Sequence, residues 1–356
     1  MEKYINQWIK RIKPRETPQR PKDIVDLFIG ENPYPPSPHV LKAIGASAET
    51  INRYPDSSAD AVKEKLAEYT NTSKEQIFVG NGSDDLIELV IKVFVGQREE
   101  VIIPIPGYFA YWRYARIRGS LPVLINRKDN FDLDIEKLVQ AGKSPKSKIV
   151  FIGSPNNPTG NIVPRQEVIE LLNRMDCIVV IDECYFEFSQ YTVVDLLNKH
   201  ENLIILRSLS KSFGLGGIRF GYGIAHPKIV QYFKKAVQIY PVNKLAQAAA
   251  IAALEDHEFI QANIKRIQQA REDMTQKLRS LGFIVYPSES NCLLVRTEPL
   301  GISGQDLVES LKAKNIFVQN LSFKQGFDAY FFRTAIGTYE ENQILLDNLK
   351  QILSDS

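Results

Sequence analysis

LIILRSLSKSFGLGGIRFGYGIA (203–225) is the stretch on which the reading of this chain turns. Two apolar runs, LIILRS (203–208) and RFGYGIA (219–225), flank a turn rich in hydroxyl groups and glycine. Short runs dense in Ile and Leu read as strands of a sheet covered on both faces. Toward the N-terminus, CIVVID (177–182), KIVFIG (148–153), PVLIN (122–126), EVIIP (100–104) and QIFVG (76–80) have the same character. Amphipathic stretches such as DDLIELVIKVF (84–94) and RQEVIELLNRM (165–175) separate several of them. This alternation predicts an α/β fold built on a mainly parallel, seven-stranded sheet with helices on both faces.

Past Pro241 the texture changes. Residues 244–280 contain neither Gly nor Pro and keep a helical period, which predicts one or two long helices. Strands near NCLLVRT (291–297), IFVQ and YFFRTAI, with helices over 304–315 and 340–353, complete a smaller α+β C-terminal domain. The expected division is an N-terminal arm and strap over 1–45 that packs with the small domain, a large domain over 46–245, and the small domain over 246–356.

The composition, 44% hydrophobic and 24% charged over 356 residues, supports a large core without staples. A net charge of +2 supplies no global field for nucleic acid or an anionic membrane. The longest apolar runs fall short of the roughly 20 residues of a membrane span, and the basic N-terminus lacks a signal peptide's apolar core. Cys177, Cys184 and Cys292 have no CxxC spacing, and His39, His200, His226 and His257 are scattered, so neither a disulfide framework nor a metal site is suggested. The expectation is a cytoplasmic protein with no metal, nucleic-acid or membrane partner.

Five segments carry the chemistry. In RSLSKSFGLGGIRFGY (207–222), Lys211 suits a Schiff base with an aldehyde, while Ser208, Ser210 and Arg219 suit the phosphate of the same cofactor. Asp182 closes an apolar strand, where open α/β sheets bind ligands, and could pair with a protonated pyridine nitrogen; Tyr185 follows it. SPNNPTG (154–160) is a rigid turn presenting Asn157. VGNGSDDLIELV (79–90) opens a helix at Ser83 and Asp84, whose N–H groups favour an anion. PGYFAYW (106–112) offers Tyr108 as a ring to stack on a planar ligand. Each alone also reads more plainly, as a basic turn, an acidic loop, a Pro-fixed turn, a helix cap or a core aromatic. Their joint order is the informative feature.

With ENPYPPSP (31–38), RYPD (53–56), LAQAAAIAAL (245–254) and FRTAIGTYEEN (332–342), these motifs resemble the fold-type I pyridoxal-phosphate enzymes, and among them the histidinol-phosphate aminotransferase family. The resemblance runs from about residue 31 to 350. It implies that Lys211 carries pyridoxal 5'-phosphate and moves the proton, that Asp182 pairs with the pyridine nitrogen, and that Asn157 and Tyr185 bond its phenolic oxygen. Tyr108 would stack on the ring, and Ser83, Asp84, Ser208, Ser210 and Arg219 would cradle the phosphate. Tyr54 would reach the phosphate of a neighbouring subunit, making the enzyme a homodimer. Arg333 would clamp the substrate carboxylate, and Asn32 would lie in the strap over the substrate.

Three departures stand out. The family's V-R-D arginine, which holds the substrate phosphate, is matched by Gln319; the proline-tyrosine element of the arm is absent; and N-E-N-P reads G-E-N-P, with Gly30. Lys324, Arg11, Arg15 and Arg20 are the cations available to compensate. The expected activity is transfer of an amino group from an amino acid or amine to a 2-oxo acid such as 2-oxoglutarate. Histidinol phosphate is the family's donor. A non-phosphorylated aromatic or specialised amino acid is the alternative donor, and a threonine-phosphate decarboxylase the alternative reaction. A non-catalytic binding protein on this fold is disfavoured by the intact Lys211, Asp182 and Arg333 set.

Overall fold

The computed structural model describes residues 1–14, 21 and 23–355. Its seven-stranded sheet runs Ile77–Gly80, Gly221–Ala225, Leu203–Ser208, Ile178–Asp182, Ser147–Gly153, Glu100–Ile105, Leu121–Asn126 in space. Only Gly221–Ala225 is antiparallel to its neighbours. Side chains alternate between the faces of a strand, and here the alternation splits the core in two. Leu203 and Ile205 enter one apolar cluster, while Ile204 and Leu206 enter the other. Both sets are fully buried, each side chain stabilising the fold by roughly 1.5–3 kcal/mol. A sheet covered on both faces leaves its strand ends as the open edge. The loops after Ile105, Gly153, Asp182 and Ser208 converge there, tied by Ser154 N–H to Asp182 O at 2.9 Å and Glu183 N–H to Leu206 O at 2.8 Å.

The C-terminal unit is a four-stranded antiparallel sheet ordered Gln319–Asn320, Phe331–Ala335, Cys292–Arg296, Ile284–Val285, with three helices, His257–Ser280, Gly304–Ala313 and Tyr339–Ser354. The Gly- and Pro-free stretch is two helices, Lys244–Glu255 and His257–Ser280, meeting at Asp256.

The arm does not pack as one piece with the small unit, which corrects the reading of residues 1–45. Val25–Asp26 pairs in parallel with Ile316–Phe317, and Ala335 N–H donates to Leu27 O, so this part joins the small unit. Gln7–Lys10 instead sits on the large unit. Trp8 Nε1 donates to Ile117 O at 3.0 Å, a carbonyl at a helix end without an intrahelical partner, and its ring fills the space beside Gly119 where a Cβ would stand. Among the described residues no helix is long and apolar enough to cross a membrane.

Candidate active site

The loop edge of the large sheet and the 319–333 hairpin of the small one enclose a cavity of about 940 Å³. Lys211 lines it, with Nζ donating to Gly30 O at 3.1 Å. Burial lowers its pKa, and the Arg333 charge adds to that. The amine is thereby biased toward its neutral, nucleophilic form. Asp182, 7% exposed, lies on the same wall. Its Oδ2 accepts from Tyr111 Oη at 2.6 Å and its Oδ1 from Cys184 N–H at 3.1 Å. Burial pushes this carboxyl's pKa up, and the hydrogen bonds from Cys184 and Tyr111 pull it back. A nearby cation would fix it as the carboxylate.

Tyr111 has no role in the sequence reading, which names Tyr108, three residues earlier, as a ring to stack on the ligand and no residue as support for Asp182. The two share one side of the turn leading into the Ala110–Ile117 helix, their rings 5.6 Å apart and edge to face. Tyr108 lines the cavity and donates to Asp84 Oδ1 at 3.0 Å. Tyr111, stacked on Phe151 at 4.9 Å, supports Asp182 from behind.

At one end the cavity is built for an anion. The Ser83–Phe94 helix points its first N–H groups there. Gly82 has φ +86° and abuts the Arg219 guanidinium, and a Cβ at Gly221 would strike the Gly82–Ser83 peptide, so glycine at both places brings helix start and strand together. Arg219 Nη1 donates to Gly216 O at 3.2 Å, and Nη2 lies 3.8 Å from Asp84 Oδ2. Ser208 Oγ accepts from Ser210 N–H at 3.1 Å, while Ser210 Oγ is buried without a partner. An orphaned hydroxyl, a helix start and a guanidinium, drawn together by two glycines at one end of the cavity, fit a phosphate. With Asp182 buried on the wall and Lys211 near it, the residues present fit pyridoxal phosphate.

At the other end Arg333, 4% exposed, sends Nη1 to Asn157 Oδ1 at 2.6 Å and Nη2 to Phe28 O, leaving Nε buried and unpartnered. Tyr185 is buried in the cavity wall, and that burial raises its pKa. Gln319 pairs across the ladder with Arg333 and lines the cavity, its Oε1 buried with no partner.

Two expected site residues lie elsewhere. Asn32 does not line the cavity. Its Nδ2 donates to Lys211 O at 2.9 Å and Ser212 O at 3.1 Å, and its Oδ1 accepts from Tyr34 N–H at 3.0 Å, so the amide is committed to backbone and clamps the lysine loop. Tyr54 is 78% exposed, stacked on Tyr240 at 4.5 Å on a separate concave surface. The Gly30 departure has a local cause: φ is +76° and a Cβ would stand 2.9 Å from Cys292 Sγ. Of the compensating cations, Lys324 lines the cavity and Arg11 does not; Arg15 and Arg20 lie outside the described residues.

A seven-stranded, mainly parallel sheet with a smaller C-terminal unit and a lysine, aspartate and arginine around one cavity defines a pyridoxal-phosphate-dependent aminotransferase of fold type I. The chain belongs to the family of class I and II aminotransferases, whose model matches residues 22–349. It is 35% identical over 340 residues to histidinol-phosphate aminotransferase of Methanococcus aeolicus, covering 94% of this chain and 91% of that one. Against the enzyme of the same name from Methanosarcina mazei it is 36% identical, covering 91% and 87%. Among solved structures, histidinol-phosphate aminotransferase of Clostridium acetobutylicum superposes with TM-score 0.86 at 28% identity, covering 93% and 99%. The Sinorhizobium meliloti enzyme, in complex with pyridoxal-5'-phosphate, shares the fold at TM-score 0.91 and 24% identity, covering 99% and 98%.

Proposed function

We propose that this cavity moves an amino group from an amine donor to a 2-oxo acid such as 2-oxoglutarate. The observation that carries the reading is the depressed amine of Lys211 sharing one cavity with buried Asp182 and Arg333. Pyridoxal phosphate, when bound, supplies the aldehyde that takes up the donor nitrogen and the ring that stores the electron pair. Lys211 Nζ holds the cofactor and then takes the proton from the donor's Cα. Asp182, oriented by Tyr111, holds the proton of the pyridine nitrogen. Asn157 and Tyr185 would serve the phenolic oxygen and Tyr108 would meet the ring, all three lining the cavity. Ser83, Asp84, Ser208, Ser210 and Arg219 hold the phosphate. Arg333 exchanges Phe28 O for the substrate anion, which its fork matches. In the same reading Tyr54 would complete the site of a second copy in a homodimer, which its exposure on its own protomer supports. A cytoplasmic location belongs to the same reading.

Replacing Asp182 with asparagine removes a charge-assisted bond of roughly 1.5–3 kcal/mol, so kcat falls about ten- to a hundredfold while cofactor content stays near one per chain. Steady-state rates beside the cofactor's absorbance check both parts.

The donor follows the relatives first: histidinol phosphate, by their name. A second reading, a non-phosphorylated amino acid, is favoured by Gln319, a neutral side chain with an unpartnered acceptor beside Arg333. If charge at this position selects the donor, Gln319→Arg raises kcat/KM for phosphorylated donors about tenfold or more. Unchanged kinetics would mean that another group holds the phosphate. Titrating the holoenzyme's visible absorbance with histidinol phosphate, histidine, phenylalanine, tyrosine, arginine and threonine phosphate identifies the donor that reacts.

A further inference from the structure

The roof of the cavity holds a cation to which the functional reading gives no task. Between Gln319–Asn320 and Phe331–Ala335 the chain forms a hairpin, closed by Leu321 N–H to Phe331 O at 3.1 Å and Phe323 N–H to Asp328 O at 3.0 Å. At its tip Gly326, with φ +85°, lies so near Pro106 that a Cβ would meet the ring at 2.6 Å, so the small unit's hairpin rests on the large unit across the cavity. Phe323 takes φ +57°, a conformation that disfavours side chains with a Cβ and is found where surrounding structure imposes it. The result is an apolar mouth, with Phe323, 75% exposed, beside Leu321 and Phe327.

Among the described residues four cations line the cavity, Lys211, Arg219, Arg333 and Lys324, against the carboxylates Asp84 and Asp182. Lys211 is held by the Gly30 carbonyl, and Arg219 lies 3.8 Å from Asp84. Arg333 has Asn157 and Phe28 as acceptors. Lys324 takes part in the hairpin only through its backbone, its N–H donating to Leu321 O at 3.0 Å and its carbonyl accepting from Phe327 N–H at 2.9 Å. Among the described residues its ammonium has no hydrogen-bond or ion-pair partner.

Resting on the aminotransferase reading, the geometry points to Lys324 as the residue that receives a substrate's second negative charge. That charge is either the distal carboxylate of a dicarboxylic 2-oxo acid or the second charge of a phosphate. Leu321 stands two residues beyond Gln319, roughly 7 Å along the strand. Lys324 lies in the turn joining the strands that carry Gln319 and Arg333 and lines the same cavity, so a dianion held by Arg333 can also meet its ammonium. A lysine suits this place better than a fixed strand cation. Transamination admits two substrates in turn, and a flexible stem can lie along Phe323 or Phe327 while an apolar donor occupies the mouth, then swing its ammonium in for a dicarboxylate. The neutral Gln319 fits the same logic, since it leaves no permanent charge for an apolar side chain to desolvate.

The test is calorimetric titration of the holoenzyme, wild type, Lys324→Met and Lys324→Arg, with glutarate against butyrate and with histidinol phosphate against histidine. Lys324→Met should weaken at least one dianion about tenfold, with its monoanionic control within about twofold and affinity recovered in Lys324→Arg. Loss confined to glutarate identifies the dicarboxylate as the ligand, and loss confined to histidinol phosphate identifies the phosphate. Equal weakening of dianion and monoanion, or no weakening of either dianion, would overturn the assignment. A wild-type protein that binds glutarate through Lys324 yet transfers no amino group would instead contradict the functional reading.

Discussion

Lys211→Ala is expected to lower turnover by at least roughly 10⁴-fold, because one side chain serves as both covalent anchor and proton carrier and each role alone is worth 10² or more. The fold should survive, since Lys211 makes one side-chain hydrogen bond, to Gly30 O, and its loop is held independently by Asn32. Circular dichroism distinguishes a lost chemical group from a lost structure. The pH dependence carries a sign. Burial and the Arg333 charge lower the amine's pKa from the ordinary lysine value of 10.5. The reactive, neutral form therefore accumulates at lower pH than for an exposed lysine. Activity of the wild type should rise with pH through that depressed value and level off before 10.5. A limb centred at the ordinary value would show that the amine is not desolvated. Linkage runs the same way: the unfolded chain binds this proton more tightly, so the buried amine detracts from apo-protein stability below the unfolded pKa, and the deficit closes as pH rises toward it.

Arg333→Ala is the second large effect. Its guanidinium is 4% exposed, has the Asn157 and Phe28 acceptors on its fork and keeps Nε unpartnered, so an incoming carboxylate meets a desolvated, already oriented donor set. Truncating one side of such a buried charge pair costs about 2–5 kcal/mol, or roughly 30- to 4,000-fold in kcat/KM. The loss should fall mainly on KM if Arg333 grips ground state and transition state alike. Arg333→Lys should recover little, because a point charge cannot reproduce a bidentate fork. Steady-state kinetics on both variants, with cofactor absorbance as the control for intact binding, check this. An unchanged kcat/KM in Arg333→Ala would place the anchor elsewhere.

Much of the fold was legible because buried parallel strands announce themselves as short runs of Val, Ile and Leu. Six of the seven strands of the large sheet lie where such runs stand; the seventh, Gly221–Ala225, is antiparallel and carries a single Ile among Gly, Tyr and Ala. The candidate site was legible for a related reason: its side chains close those runs or sit in the turns just after them, so Asn157, Asp182, Ser208, Ser210 and Lys211 line one cavity once the sheet forms. What stayed hidden passes through the main chain or through distant packing. The Gly30 and Phe28 carbonyls receive Lys211 and Arg333, and every residue has a carbonyl. Asn32 carries a side chain that suits a substrate contact, yet it clamps a backbone 179 residues away. Tyr108 and Tyr111 are indistinguishable by type, and only burial against Phe151 decides which one supports Asp182. Trp8 docks on the large unit because Gly119 leaves room and Ile117 offers a carbonyl, neither of which composition discloses.

The central claim is that this cavity transfers an amino group. It is tested most directly by adding the donor identified by titration to the holoenzyme with no acceptor present, and then adding 2-oxoglutarate. The account predicts one equivalent of oxidised donor per site in the first stage, no carbon dioxide, and glutamate formed in equal amount in the second. Release of carbon dioxide, or donor consumption without glutamate on adding the 2-oxo acid, would contradict it.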